Sequence, residues 1–516
     1  MQRYDVVILG GAYSGASAAT LLRRDRPDLS VLIVERAEAF DSKVGEATTE
    51  MSAMFMTRRL ALWRHLELEQ LPKEGFRYWS RNDKVTGHAD SSETGSFHRS
   101  NVLSFQLRRD ALDEHILATA QQEGAELWRP ARATEVELGD FDHKLTIERN
   151  GAVETVACRW ILDATGRASF IGKRLGLIER NREHPTAAVW GRWKDVKHID
   201  DFAARGPLAF ARRNVASRRL ATNHYVAFGS WTWFIPLRNG ETSIGIVFDQ
   251  RLQQLDRGKE MKRDYLAFLR SQPAMAELLE GATLREEDLR TYSNLAYVTK
   301  QYMGQGWALM GDAAAFLDPY YSPGLDHAAF TVEATVGIVE AETSGEDVSD
   351  RIREHNELFL RSYRRFFDSI YRDKYFYMGE HDLLSASFLV ETAQYYIFVV
   401  IPAYRVLGKF HWMPVLGPRP AFLSYHLMRI YNRRFKTIAL ARRAAGEAGR
   451  RNHGRRVKAF YNLGFAPFRM AARGLGIWAL AEADLLRLRL KRLFAGKPTA
   501  LPATEEAVKP SGIGFE

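Results

Sequence analysis

Gly311-Asp312-Ala313-Ala314-Ala315 runs directly into Phe316-Leu317-Asp318-Pro319-Tyr320-Tyr321-Ser322-Pro323-Gly324. The apolar run Trp307 to Met310 leads into this stretch and reads as a buried strand, and Pro319 and Pro323 stiffen a turn before a helix beginning near Leu325. Small residues at the strand end let backbone approach a ligand, and a helix N-terminus behind them suits a polar cofactor chain. A second strand, Tyr4 to Leu9, ends in Gly10-Gly11-Ala12-Tyr13-Ser14-Gly15. It is followed by a helical stretch and a strand from Ser30 to Val34 that closes on Glu35. This is a βαβ unit whose Gly10, Ser14 and Gly15 region permits close approach to a pyrophosphate, with Glu35 placed to accept hydrogen bonds from ribose hydroxyls. Ala12 puts one methyl where such turns usually carry their middle glycine. A third apolar strand, from Trp160, ends in Asp163-Ala164-Thr165-Gly166.

Four further groups have residue types suited to chemistry. Ser42-Lys43-Val44-Gly45-Glu46-Ala47-Thr48-Thr49-Glu50 is a polar loop whose threonines favour a helix cap, with Glu46 as a capping carboxylate. Lys73 stands between Pro72 and a Gly-Phe turn that leads into the aromatic run Phe76 to Trp79. Arg109 opens a helix over Asp110 to Ala120. Trp231-Thr232-Trp233-Phe234-Ile235-Pro236 alternates as a strand, with the two indoles on one face and Pro236 ending it.

Phe316, Pro319, Ser322 and Gly324 at this spacing, the Val44-Gly45-Glu46-Ala47-Thr48 string and the complete Trp-x-Trp-x-Ile-Pro together resemble the flavin-dependent halogenases, over roughly residues 1 to 335. The resemblance implies an α/β fold: a Rossmann-like FAD-binding domain of the glutathione-reductase type, a β-sheet substrate domain and a helical C-terminal region. It implies FAD, used as FADH2, contacted by Gly10, Ala12, Ser14, Gly15, Glu35, Val44, Arg109, Asp312, Pro319 and Gly324. It implies a chloride or bromide ion near the flavin, held by backbone N–H groups after Ser322. Pro323 has no N–H, which leaves Gly324 and Leu325 as donors. It makes Lys73 the catalytic lysine that passes hypohalous acid to an electron-rich ring, with Glu46 as a candidate proton acceptor. It also makes Trp231, Trp233, Ile235 and Pro236 the partition between flavin and substrate. Tryptophan halogenases carry a glutamate just before the serine of the turn. Tyr321 stands there in this chain, which favours a phenolic or pyrrolic substrate, free or tethered to an acyl or peptidyl carrier protein. Only one dinucleotide motif is visible, so a separate flavin reductase is expected.

The chain has 516 residues, 46% apolar and 26% charged, enough for several units around a large core. The single cysteine, Cys158, excludes an intrachain disulfide framework and fits a reducing, cytoplasmic setting, as does a strand beginning at Tyr4 with no leader before it. The longest apolar candidate for a membrane span, Tyr395 to Ile401, is ended by Pro402 and reads as too short. The net charge of +10 is concentrated between Arg429 and Lys497, where 18 lysines and arginines face 3 acids. That surplus suits an acidic carrier protein, an anionic membrane surface or a solvated helical face; no nucleic-acid motif accompanies it, and no metal site is expected. The aromatic stripe from Phe359 to Tyr377 reads as helical core that partly lines a cavity. The expected units are 1–180 with 290–345 (FAD-binding), 181–289 (substrate-side sheet), 346–497 (helical and basic) and a disordered tail, 498–516. The competing readings are an FAD-dependent aromatic hydroxylase and a membrane-docked lipid or isoprenoid flavin reductase.

Overall fold

The computed structural model describes residues 1–203, 216–405 and 414–494; the tail read as disordered, 498–516, lies outside them. Strand Gln2–Leu9 lies between Ala152–Asp163 and Val31–Val34, parallel to both. Trp307–Leu309 adds in parallel beyond Ala152–Asp163, and Glu126–Trp128 adds in parallel beyond Val31–Val34. Val6, Val7, Ile8, Ile161 and Leu162 are wholly buried, as the central strands of a parallel sheet covered on both faces must be. Ala131–Glu137 and His143–Arg149 form the appended antiparallel hairpin, on the end of Ala152–Asp163.

This register brings the three motif-bearing strand ends together. Ala164 N–H donates to the Leu9 carbonyl at 2.8 Å, and Met310 N–H donates to the Asp163 carbonyl at 2.9 Å. Gly10 adopts a left-handed φ of +96°, and a Cβ there would lie 2.6 Å from the Ala164 carbonyl oxygen. A Cβ on Gly15 would overlap the Gly10 carbonyl oxygen itself.

The second sheet is wider than the segment 181–289. Its spatial order runs Thr283–Leu284, Thr186–Lys194, Thr242–Asp249, Ser230–Pro236, Thr222–Ala227, Phe76–Ser80, Ser92–Ser96 and Arg456–Ala459. Two strands therefore come from the segment before residue 180 and one from the basic C-terminal stretch. At the centre of the sheet Trp233 sits opposite Gly245, where any Cβ would collide with the indole.

The helical region folds back onto both sheets. The run ending at Pro402, which reads as short in the sequence, lies in a helix from His381 to Arg405, long and apolar enough to span a membrane but two-thirds buried in the fold. A wider π-type turn over Tyr396–Val400 precedes Pro402, which absorbs a residue that lacks an N–H. Helix Ala466–Phe494 packs along it, with Gly474 against Val390 and the Ala386 carbonyl.

Candidate functional site

A cavity of about 550 Å³ runs from the turn at Asp312, Phe316 and Gly324 to the helical region, and Thr49, Glu50, Phe76 and Tyr321 also line it. One end of this space is lined by the strand end at Asp312 and the turn after it, which neighbour the other two strand ends; the other end is lined by the helices.

At the first end, helix Tyr13–Asp25 starts from an extended Ala12. The N-terminus of a 13-residue helix there offers unpaired N–H groups to a phosphate. Both oxygens of Glu35 accept backbone N–H groups, from Gly11 at 2.7 Å and Ala37 at 2.8 Å, which fixes the carboxylate at the edge of the glycine turn. Gly311, at φ +54°, lies against Ser14, so that helix and the Gly311-Asp312 turn share a boundary. Arg109 forks onto Asp113 at 3.1 Å and donates to the Val44 and Gly45 carbonyls at 3.3 Å. It therefore pins the Val44-Gly45 loop, where Gly45 takes φ +93° with the guanidinium in the place of a Cβ. Burial raises the Asp312 carboxyl, opposed by Arg167, Arg109 and Lys43. A left-handed glycine turn with no room for a Cβ, a fixed acid at strand two and an arginine-pinned loop fit FAD. Gly15→Ala, which cannot avoid the Gly10 carbonyl, is expected to weaken FAD binding more than about a hundredfold, read by quenching of flavin fluorescence; binding within threefold of wild type would contradict this cradle.

Glu46 and Lys73 part company. Glu46 is buried and ion-paired to Arg192 of strand Thr186–Lys194 at 2.7 Å, and Arg192 pairs with Asp288, also at 2.7 Å. The carboxylate therefore fastens the loop to the second sheet rather than capping a helix. The cap falls to Thr49, whose N–H donates to Ser52 Oγ at 3.1 Å. Lys73 is only 4% exposed. Its ammonium donates to the Thr48 carbonyl at 2.6 Å and lies 3.9 Å from the centre of the Phe76 ring. Burial pulls it down to about 7, against the opposing pull of Glu50 and Asp326. Those two carboxylates, which the sequence did not single out, are the charges Lys73 meets. Tyr396 donates to Glu50 at 2.7 Å; Asp326 accepts from the Ser52 N–H at 2.8 Å, from Tyr395 at 3.0 Å and from Thr49. Each carboxyl is raised, chiefly by burial.

The turn itself is conformationally demanding. Tyr321 and Ser322 both have left-handed φ, +74° and +53°, and Pro323 then starts the 20-residue helix Gly324–Thr343. Leu325 is buried in that helix's first turn. Such backbone outliers concentrate at functional sites. The Tyr321 hydroxyl donates to Glu391 at 2.6 Å, and Glu391 is held by Lys374 at 2.8 Å and by Tyr431 and Asn432, both at 3.1 Å. Glu391 lines the cavity, so its apolar helical end carries a fixed polar anchor.

Trp231 and Trp233 stand in the core behind Tyr320 rather than on the cavity wall formed by the described residues. Trp231 packs edge-on against Tyr320 at 5.3 Å and donates to Tyr375 at 2.9 Å; Tyr375 passes the chain on to Asp318 at 2.9 Å, which also meets His184 at 2.7 Å. Trp233 donates to Ser243 at 3.1 Å. Ile235 is buried and Pro236 ends the strand half-buried. Trp231 thus braces Tyr320 of the turn, and Trp233 backs Trp231 at 5.8 Å between ring centres. The aromatic stripe divides: Phe359, Tyr363 and Phe366 line the cavity, while Phe367, Tyr371, Tyr375 and Tyr377 are core.

Comparison with known proteins agrees with this construction. The FAD binding domain family matches residues 3–344. The chain is 26% identical to the flavin-dependent halogenase chlA of Dictyostelium discoideum, over 81% of this chain and 73% of that one. It is 25% identical to a tryptophan 2-halogenase of Chondromyces crocatus, over 70% and 65%. The crystal structure of halogenase PltM in complex with phloroglucinol and FAD has the same fold, with a TM-score of 0.70 at 19% identity, covering 93% of this chain and 96% of that one.

Proposed function

We propose, on the premise that this chain belongs to the FAD binding domain family and within it to the flavin-dependent halogenases, that it uses FADH2 and O2 to halogenate an electron-rich phenolic or pyrrolic ring through Lys73. The observation that carries the reading is Lys73: a lysine shielded from water, beside carboxylates and aromatic rings that line a cavity whose other end is the FAD turn. When bound and reduced, FAD would supply the two electrons and two protons which, with one further proton, turn O2 and a halide into hypohalous acid and water.

The chain's own groups do the rest. The N–H groups of Gly324 and Leu325, in the first turn of a helix, are the natural hosts for the halide. Lys73, charged, donates a hydrogen bond to the hypohalous oxygen and draws electron density from the O–X bond. The ring supplies the pair that forms C–X; the O–X pair stays on oxygen, which leaves as water with a proton. The ring proton passes to a carboxylate, for which Glu50 and Asp326, the acids whose charges act on Lys73, are the candidates. The Tyr321 hydroxyl, committed as donor to Glu391, presents its oxygen as an acceptor to a phenol O–H or pyrrole N–H. The complex of halogenase PltM with phloroglucinol, a phenol, supports this choice of substrate class. Reducing equivalents come from a separate flavin reductase.

The test is mass spectrometry of phenols and pyrroles, free and carrier-bound, with reduced FAD and chloride or bromide. A halogen isotope pair is expected; a product gaining one oxygen instead marks the hydroxylase, and halide-independent reduction marks the lipid reductase. Because the charged lysine is the working form and its ammonium is pulled down to about 7, halogenation is expected to fall as pH rises through that value. A fall on the acid side would instead assign the neutral amine, and a haloamine, to the transfer.

A further inference from the structure

Helix Ala466–Phe494 has two apolar faces, of which the fold uses one. Met470, Gly474, Ala481, Leu485 and Leu488 are buried toward the protein. At 100° per residue, Phe468, Leu475, Leu486, Leu490 and Leu493 fall on the opposite side, within an arc of roughly 60°. They are between 39% and 58% exposed. The helix is bracketed by Phe465 and Phe494, more than four-fifths exposed at 84% and 86%. The stripe runs for about 38 Å, far beyond the singly scattered apolar residues that any surface shows.

Basic residues flank it. Arg489 lies on one shoulder, and Arg469, Arg473, Arg487 and Lys491 on the other. Arg487 is tied to Glu447 and Asp484 and Lys491 to Glu447, and Arg489 shares its shoulder with Glu482, whose carboxyl its charge helps to lower, but Arg469 and Arg473 form no ion pair among the described residues. A straight apolar ridge with cationic shoulders is the form of a helix that lies in a bilayer interface, its rings and leucines below the headgroups and its guanidinium groups at the phosphates. The same charge argues against a second copy of this chain, whose like-charged shoulders would be brought together.

The ridge is coupled to the cavity. Helix Phe422–Ala444 runs parallel to Ala466–Phe494, with Tyr431 on Trp478, Arg434 on Glu482 and Arg442 on Asp484. Its N-terminus is the cavity rim: Pro420 and Ala421 line the cavity, and Phe422 and Leu423 beside them are exposed. Phe398, also on the lining, is 58% exposed.

We propose that the outer face of Ala466–Phe494 docks the enzyme on an anionic phospholipid surface, and that the apolar cavity receives lipophilic substrate from that side. Docking does not depend on the halogenase reading. The full-length FAD-loaded protein is sedimented with vesicles of phosphatidylcholine alone and of phosphatidylcholine with phosphatidylglycerol. Wild type is expected to pellet with the anionic vesicles and to be released by salt. Arg469→Gln with Arg489→Gln should weaken partitioning about thirtyfold. Leu486→Ser with Leu490→Ser and Leu493→Ser should weaken it at least about tenfold, with FAD binding and turnover of a soluble phenol unchanged. Absence of wild-type protein from anionic pellets overturns the proposal. So does a concentration-dependent dimer, or a stoichiometric complex with an acidic carrier protein, that the triple serine variant abolishes while vesicle binding persists. A failed halogenation assay with intact vesicle binding would count against the activity alone.

Discussion

Lys73→Met is expected to cut halogen transfer to the aromatic substrate by about 10²–10⁴-fold while reduced flavin is still oxidised. The side chain is nearly isosteric, so packing on Phe76 survives; what goes is a cation facing Glu50 and Asp326. On the proposed mechanism the O–X bond then loses its polarising charge, and hypohalous acid is expected to escape to solution, where a diketone trap collects it. Stopped-flow absorbance follows flavin oxidation and mass spectrometry follows the halogenated ring. If the ring is halogenated at the wild-type rate, Lys73 is not the agent of transfer and the cavity has a different purpose. If flavin oxidation is lost as well, Lys73 is a structural member of the cofactor site. FAD affinity and thermal midpoint, measured beside these, separate that second outcome from misfolding, because a buried methionine in place of a desolvated ammonium need not destabilise the fold.

Why Lys73 was legible and its partners were not follows from where each residue sits. Lys73 occurs in a local context, between Pro72 and a Gly-Phe turn, and local context is what a sequence displays. Gly10, Gly15 and Gly311 were legible for the same reason: a strand ending on glycine before a helix is a short-range pattern with one main physical use. Glu50 and Asp326 each stand in the first turn of a helix, where an acid is ordinary because it complements the helix dipole. Their convergence on Lys73 comes from bringing the Thr48-Thr49 loop against the helix after Pro323, a separation of 277 residues between Thr49 and Asp326. Glu46 shows the converse. Its neighbours gave it the look of a cap, whereas its partner Arg192 is 146 residues away. The tryptophans were correctly placed on one strand face, but which side of Tyr320 they occupy depends on the packing of the helical region.

The same limit hid the strand Arg456–Ala459 inside a basic run, and its loss is expected to be the costliest single failure of stability. It joins the second sheet beside Ser92–Ser96 in parallel, and the joint is electrostatic. Glu93, wholly buried, accepts from Arg218 at 2.8 and 3.0 Å, meets Arg456 at 3.3 Å and is bound by Arg77. Burial alone would raise its carboxyl; the Arg77 and Arg218 charges prevail and hold it down at about 2. Glu93→Gln leaves those cations buried without their anion and is expected to lower unfolding free energy by about 3–5 kcal/mol. Because the folded-state value lies below the ordinary one of 4.5, this stabilisation is complete above about 4.5 and disappears as pH falls toward 2. The wild type should therefore lose about 3 kcal/mol more than the variant over that interval, measured from urea midpoints with the slope unchanged. Equal acid sensitivity of the two proteins would show that Glu93 carries no such charge. The consequence reaches the chemistry. Tyr461 follows this strand, accepts the Phe76 N–H at 2.9 Å, lines the cavity and occupies the space a Cβ on Gly75 would fill. Loosening Arg456–Ala459 loosens the floor under Lys73, so the variant should lose halogen transfer at temperatures where the FAD sheet is still folded and flavin still binds.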